Sequence, residues 1–127
     1  MPRVLVFDFG NVLLRWDPHA ILQRAGAIET GAETSERIAR AFASALWTDF
    51  DRGLAPADEV VAGLERRTSL PEVVCRQFIE HAPDWLEPIT PSVRLLEELF
   101  DARDRGAMDA RIAFLSNMPA PWAAVLR

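Results

Sequence analysis

With 127 residues, half of them hydrophobic, the chain has material for one ordinary core and too little for two comfortable domains, so one globular unit with a small subdomain is the expectation. A formal charge of -5 without a basic stripe argues against nucleic acid as a partner, because backbone binding is driven by counterion release from a basic face. All fourteen basic residues are arginine, and the missing lysine excludes a Walker-type P-loop, a Schiff-base enzyme and a kinase phosphate anchor, each of which needs an ammonium group.

Arg3 to Phe7 is a β-branched and aromatic run without helical period, bounded by Asp8 and Gly10, and reads as a fully buried strand. Asp17-Pro18 joins an N-cap to a proline at the first helical position, so a helix is expected there, ending at Gly26. Ser35 opens a second helix, whose Ile38, Phe42, Ala45 and Leu46 fall on one face. A third starts near Pro56, with Val60, Val61 and Leu64 as its stripe and Thr68 to Pro71 as its break. A fourth follows Ser69, carries Val73, Val74, Phe78 and Ile79, and stops before Pro83. Thr90-Pro91 opens a fifth in which Val93, Leu95, Leu96, Leu99 and Phe100 face inward and Gly106 closes the end. Arg111 to Leu115 is the second strand, leading into Ser116, Asn117 and Pro119.

This order suits an α/β architecture in which the two strands are parallel neighbours joined by the fifth helix. The four earlier helices are then an insertion over the carboxyl ends of the strands, where open α/β sheets place ligands. No apolar run approaches a membrane span, and Asp8 interrupts the first apolar stretch before it could act as a signal sequence. Cys75 has no disulfide partner, and with only His19 and His81 beside it a structural zinc site is hard to assemble. A cytoplasmic protein without a membrane partner is the expectation.

Two short segments carry chemistry. Phe7-Asp8-Phe9-Gly10-Asn11-Val12-Leu13 puts a carboxylate at the end of a strand, followed by a turn whose backbone amides can hold transferring oxygens. The plainer alternative is that Asp8 accepts hydrogen bonds within a tight turn. Leu115-Ser116-Asn117 places a hydroxyl and an amide at the end of the neighbouring strand, suited to a phosphoryl oxygen or, more plainly, to capping the loop.

Phe-Asp-Phe-Gly-Asn-Val-Leu followed much later by Phe-Leu-Ser-Asn resembles the first two motifs of the haloacid-dehalogenase-like (HAD) hydrolase superfamily, closest to the branch of bacterial glucose-1-phosphate phosphatases. The segment Trp47 to Gly53 and the Pro91 to Leu99 helix resemble that branch too. The resemblance implies a partial Rossmann-like HAD core at 1–16 and 88–127, with parallel strands 3–7 and 111–115 and a crossover helix, and an inserted helical cap at 17–87. It implies a Mg-dependent phosphatase acting on a small phosphorylated metabolite through an aspartyl-phosphate. Asp8 matches the nucleophile and a metal ligand, Gly10 the second ligand through its backbone carbonyl, and Ser116 with Asn117 the phosphate-binding pair.

Two departures matter. Many relatives carry a general-acid aspartate two residues after the nucleophile, and here that position is Gly10. A good leaving group, or a cap carboxylate such as Asp49 or Asp51, would have to serve; solvated loop positions are the plainer reading of those two. The family's later motifs, usually a lysine and then an acidic cluster, follow the second motif, yet no lysine and no carboxylate follow Asp109. The expectation is therefore an incomplete site with poor turnover and an open sheet edge that invites self-association or a completing partner. The alternatives are a non-catalytic binding or regulatory remnant, and a dehalogenase-type carbon-halogen hydrolase, which needs no proton for its leaving group.

Overall fold

The computed structural model describes residues 3–27 and 31–126, and its contacts divide the chain into two units. One comprises 1–16 with 86–116, the other 17–85 with 117–127. Among the described residues no helix is long and apolar enough to cross a membrane.

In the first unit, strand β1 (Arg3–Phe7) pairs in parallel with β4 (Ala110–Phe114), in register from Arg3 opposite Ala110 to Phe7 opposite Phe114. The β-branched and aromatic composition that favours a pleated ribbon makes this pair. The Phe114 ring, 43% exposed, stacks on Phe9 at 5.3 Å and lies 6.4 Å from Phe7. Two further strands of two residues each, β2 (Leu14–Arg15) and β3 (Glu87–Pro88), pair antiparallel. The expected Rossmann-like core is thus seen only in part, as one two-stranded parallel sheet.

The connection between β3 and β4 is the fifteen-residue helix α6 (Thr90–Asp104). Pro91 sits in its first turn, where a missing N–H costs nothing. Its end is set by Gly106 at φ 72°, with the Gly106 amide donating to Arg103 O (3.0 Å) and the Ala107 amide to Ala102 O (2.9 Å). That pair of bonds is a Schellman closure, which favours glycine because a side chain is strained at positive φ.

Two expectations fail in this unit. β1 is not buried: Val4 is 56% and Val6 58% exposed, because no second layer covers that face of a two-stranded sheet. The inward stripe of α6 is only partly covered; none of its residues is buried and Leu95 is 51% exposed.

The second unit holds helices α1 (Pro18–Arg24), α2 (Ala32–Phe42), α3 (Ala45–Asp51), α4 (Ala57–Thr68), α5 (Glu72–His81) and α7 (Ala120–Val125), with a 3-10 turn at Ala82–Trp85. Asp17 caps α1 as its sequence signals, its carboxylate accepting from the Ala20 amide at 3.2 Å, and Gly26 ends it at φ 117°. The expected second helix is two: the Ser44 hydroxyl turns back to the Ala41 carbonyl (2.5 Å), and the chain restarts as α3. Phe42, Trp47, Phe50, Phe78 and Trp122 meet edge to face or tilted at centroid distances of 4.7 to 6.3 Å. Of nineteen buried hydrophobic residues among those described, only Leu13 and Ala110 belong to the sheet unit. The core of this protein is therefore helical.

Candidate active site

Asp8 follows the last ladder residue of β1 and is exposed. Its Oδ1 accepts from the Phe9 amide at 2.7 Å, so one oxygen is fixed against the backbone. The turn beyond is tightly braced. The Phe9 carbonyl accepts from the amides of Val12 (3.2 Å), Leu13 (3.0 Å) and Leu14 (2.9 Å), while the Asn11 amide donates to Leu14 O at 2.7 Å. Buried Leu13 offers its carbonyl to the Ile89 amide (2.8 Å), and the β2–β3 pairing ties the exit of the turn to the start of α6.

The left-handed residue of this turn is Asn11 (φ 56°), not Gly10. Asparagine tolerates that region, and its Oδ1 accepts from the Trp16 amide at 2.9 Å. Nothing lies within 4 Å of where a Gly10 side chain would start, and none of the described hydrogen bonds uses the Gly10 carbonyl. Asn11 thus braces the turn, a role not assigned to it from sequence. Its signal was an Asx residue directly after a glycine at a strand end.

On the neighbouring strand the Leu115 amide donates to Phe7 O at 2.9 Å, one rung past the last paired residues. Leu115 is thereby level with Asp8, and Ser116 leaves the sheet one residue later. Asp8, Gly10 and Ser116 all belong to the sheet unit and emerge from the same end of two parallel strands, the carboxyl end. Asp8 and Ser116 both lie beyond the ladder, so pleat alternation does not fix which way they face. Asn117 is exposed and groups by its contacts with the helices.

The donor set for a metal is small. Among the described residues no group of three or more His, Cys, Asp or Glu is placed to hold one. The Asp8 carboxylate and the Gly10 carbonyl are two oxygens for a cation that prefers six, a weak fit that needs substrate and water oxygens to fill it.

Two groups in the helical unit have displaced acidity. Burial pushes the Cys75 thiol up to about 11, so at neutral pH it is a small hydrophobe and no nucleophile. Burial also pushes the Asp51 carboxyl, at the end of α3, from 3.8 to about 6. Between those two values the folded chain holds a proton that the unfolded chain has released, so stability falls as pH rises from about 4 to 6 and then levels. Discounted for its partial exposure, the loss is about 1–2 kcal/mol. Asp51→Asn is expected to remove this slope and raise the melting temperature at pH 7; thermal scans from pH 4 to 7 with parallel slopes for both proteins would refute it.

No family model matches the chain, and no curated protein does. Among solved structures it resembles the wild-type HAD family enzyme BT-2542 from Bacteroides thetaiotaomicron in complex with magnesium and inorganic phosphate, with a TM-score of 0.62 and 20% identity. That match covers 98% of this chain and 58% of the enzyme. A second structure of BT-2542 matches with a TM-score of 0.59, 18% identity and the same coverage. The chain has the fold of part of a HAD family enzyme and spans little more than half the length of the structures it matches.

Proposed function

We propose that the chain carries the nucleophile and phosphate-binding ends of a HAD-like, Mg-dependent phosphatase acting on a small phosphorylated metabolite. The observation that carries this reading is the shared carboxyl end of β1 and β4, from which a carboxylate and a hydroxyl emerge one residue apart in register. In the proposed reaction an Asp8 oxygen attacks phosphorus, the bond to the leaving alkoxide breaks, and water then hydrolyses the aspartyl-phosphate to release phosphate and restore the carboxylate. The Ser116 hydroxyl and Asn117 amide donate to phosphoryl oxygens. Magnesium, held by Asp8 and the Gly10 carbonyl, would cancel the repulsion between carboxylate and phosphate dianion.

Gly10 supplies no acid two residues beyond the nucleophile, so substrates with good leaving groups are favoured. The two protein donors hold magnesium weakly, and slow turnover by these 127 residues alone follows. The exposed Val4, Val6 and Leu115 favour a second reading, a binding module that acts through its sheet face.

Titration with inorganic phosphate in the presence of magnesium, followed by amide NMR, separates the two. Amides of Phe9 to Asn11 and of Leu115 to Asn117 are expected to shift together with one dissociation constant. Movement of one segment without the other, or of neither, would leave the single phosphate site without support.

A further inference from the structure

A phosphate dianion at Asp8 sets negative charge against negative charge, and the sheet unit holds six arginines that could offset it. Arg3 and Arg111 stand at the amino end of the strand pair, opposite Ala110 and Val4 and remote from Asp8. Arg103 pairs with Asp104 at 2.9 Å, and Arg105 donates to Asp101 O at 3.3 Å where α6 ends. Arg94 lies within α6, outside the turn that follows Asp8. Arg15 is at the exit of that turn.

Asn11 holds the chain on both sides of Arg15. The Asn11 amide donates to Leu14 O at 2.7 Å, Leu14 bridges Gly10, and the Trp16 amide donates to Asn11 Oδ1 at 2.9 Å. The Arg15 Cα, about 3.8 Å from the Cα of Leu14 and of Trp16, is thereby fixed beside a residue only three past Asp8. Leu14 is half-buried and Arg15 exposed, the opposite faces that pleat alternation gives to neighbours in a strand. Across the β2–β3 ladder Arg15 stands opposite Glu87, where side chains share a face and opposite charges attract. None of the ion pairs among the described residues uses Arg15, so its guanidinium is open to an incoming anion. Phosphate suits that fork better than a carboxylate does, having the same spacing of oxygens and a greater charge.

We propose that Arg15 is a phosphate-binding residue of the Asp8 site, its guanidinium donating to phosphoryl oxygens while Glu87 competes for it. The assignment rests on the function proposed above and deepens it: the cation that meets the phosphoryl group comes from the strand that closes the Asp8 turn.

Titration with inorganic phosphate in the presence of magnesium, read at the Phe9 to Asn11 amides by NMR, tests it. Arg15→Gln is expected to weaken binding about tenfold, the loss of charge-assisted hydrogen bonds at an exposed site. Arg15→Lys keeps the charge without the fork and is expected to stay within about threefold of the unsubstituted chain. Glu87→Gln removes the competitor and is expected to tighten binding about threefold. Arg3→Gln removes the same charge at the other end of β1 and is expected to change nothing. Equal weakening by Arg15→Gln and Arg3→Gln, or by Arg15→Gln and Arg15→Lys, overturns a local charge at residue 15. Binding that Glu87→Gln leaves unaltered or weakens overturns the competition. Binding untouched by Arg15→Gln overturns the assignment and leaves the Asp8 site standing, whereas no phosphate binding by the unsubstituted chain overturns the phosphatase reading and the role of Arg15 together.

Discussion

Asp8→Asn is expected to abolish covalent capture of phosphate from an activated donor such as acetyl phosphate, lowering the rate on the order of 10⁴-fold. The amide keeps the shape of the carboxylate, and its oxygen can still accept the Phe9 amide bond that fixes the side chain, so the turn should persist. What it loses is the charge and the nucleophilic lone pair, both of which the attack on phosphorus needs. Intact-mass measurement after incubation with donor and magnesium reads the outcome directly. The companion variants sharpen it: Asp49→Asn and Asp51→Asn leave capture intact if those residues act on the leaving group or not at all. Capture that survives Asp8→Asn would remove the nucleophile assignment, whatever the phosphate affinity.

The parts of this fold that were legible in the sequence are those decided by a few neighbouring residues. Asp17-Pro18 and Gly26 bracket α1, and Gly106 ends α6, because capping and positive φ depend on local chemistry. The two strands were legible from β-branched runs flanked by turn residues, and their pairing followed from the helix between them. Burial was not legible, since whether Val4 and Val6 are covered depends on layers outside the segment. The break between α2 and α3 was hidden because Phe42, Ala45 and Leu46 keep helical spacing across Ser44. β2 and β3, two residues each, are too short to show any period. The motif positions Asp8 and Ser116 could be placed at strand ends from sequence; the turn that holds Asp8 depends on Asn11 taking the left-handed conformation, a choice left open by the glycine beside it.

Phe78→Ala is expected to destabilise the protein by about 3–5 kcal/mol, a large share of the roughly 5–15 kcal/mol typical of a folded domain. Phe78 is 0% exposed and lies 5.3 Å from the Phe42 ring, 6.0 Å from Trp47 and 5.9 Å from Trp122, so its removal leaves a void walled by rings that cannot collapse without breaking their own edge contacts. Val6→Ala, by contrast, trims a side chain that is 58% exposed and is expected to cost under about 1 kcal/mol. Urea unfolding followed by tryptophan fluorescence, with Trp47 and Trp122 as reporters inside the cluster, measures both. Equal costs would mean that the strand face is as well packed as the helices, contrary to its exposure. The contrast has a functional edge. The catalytic groups proposed here stand on the unit with almost no buried core, where local opening is cheapest.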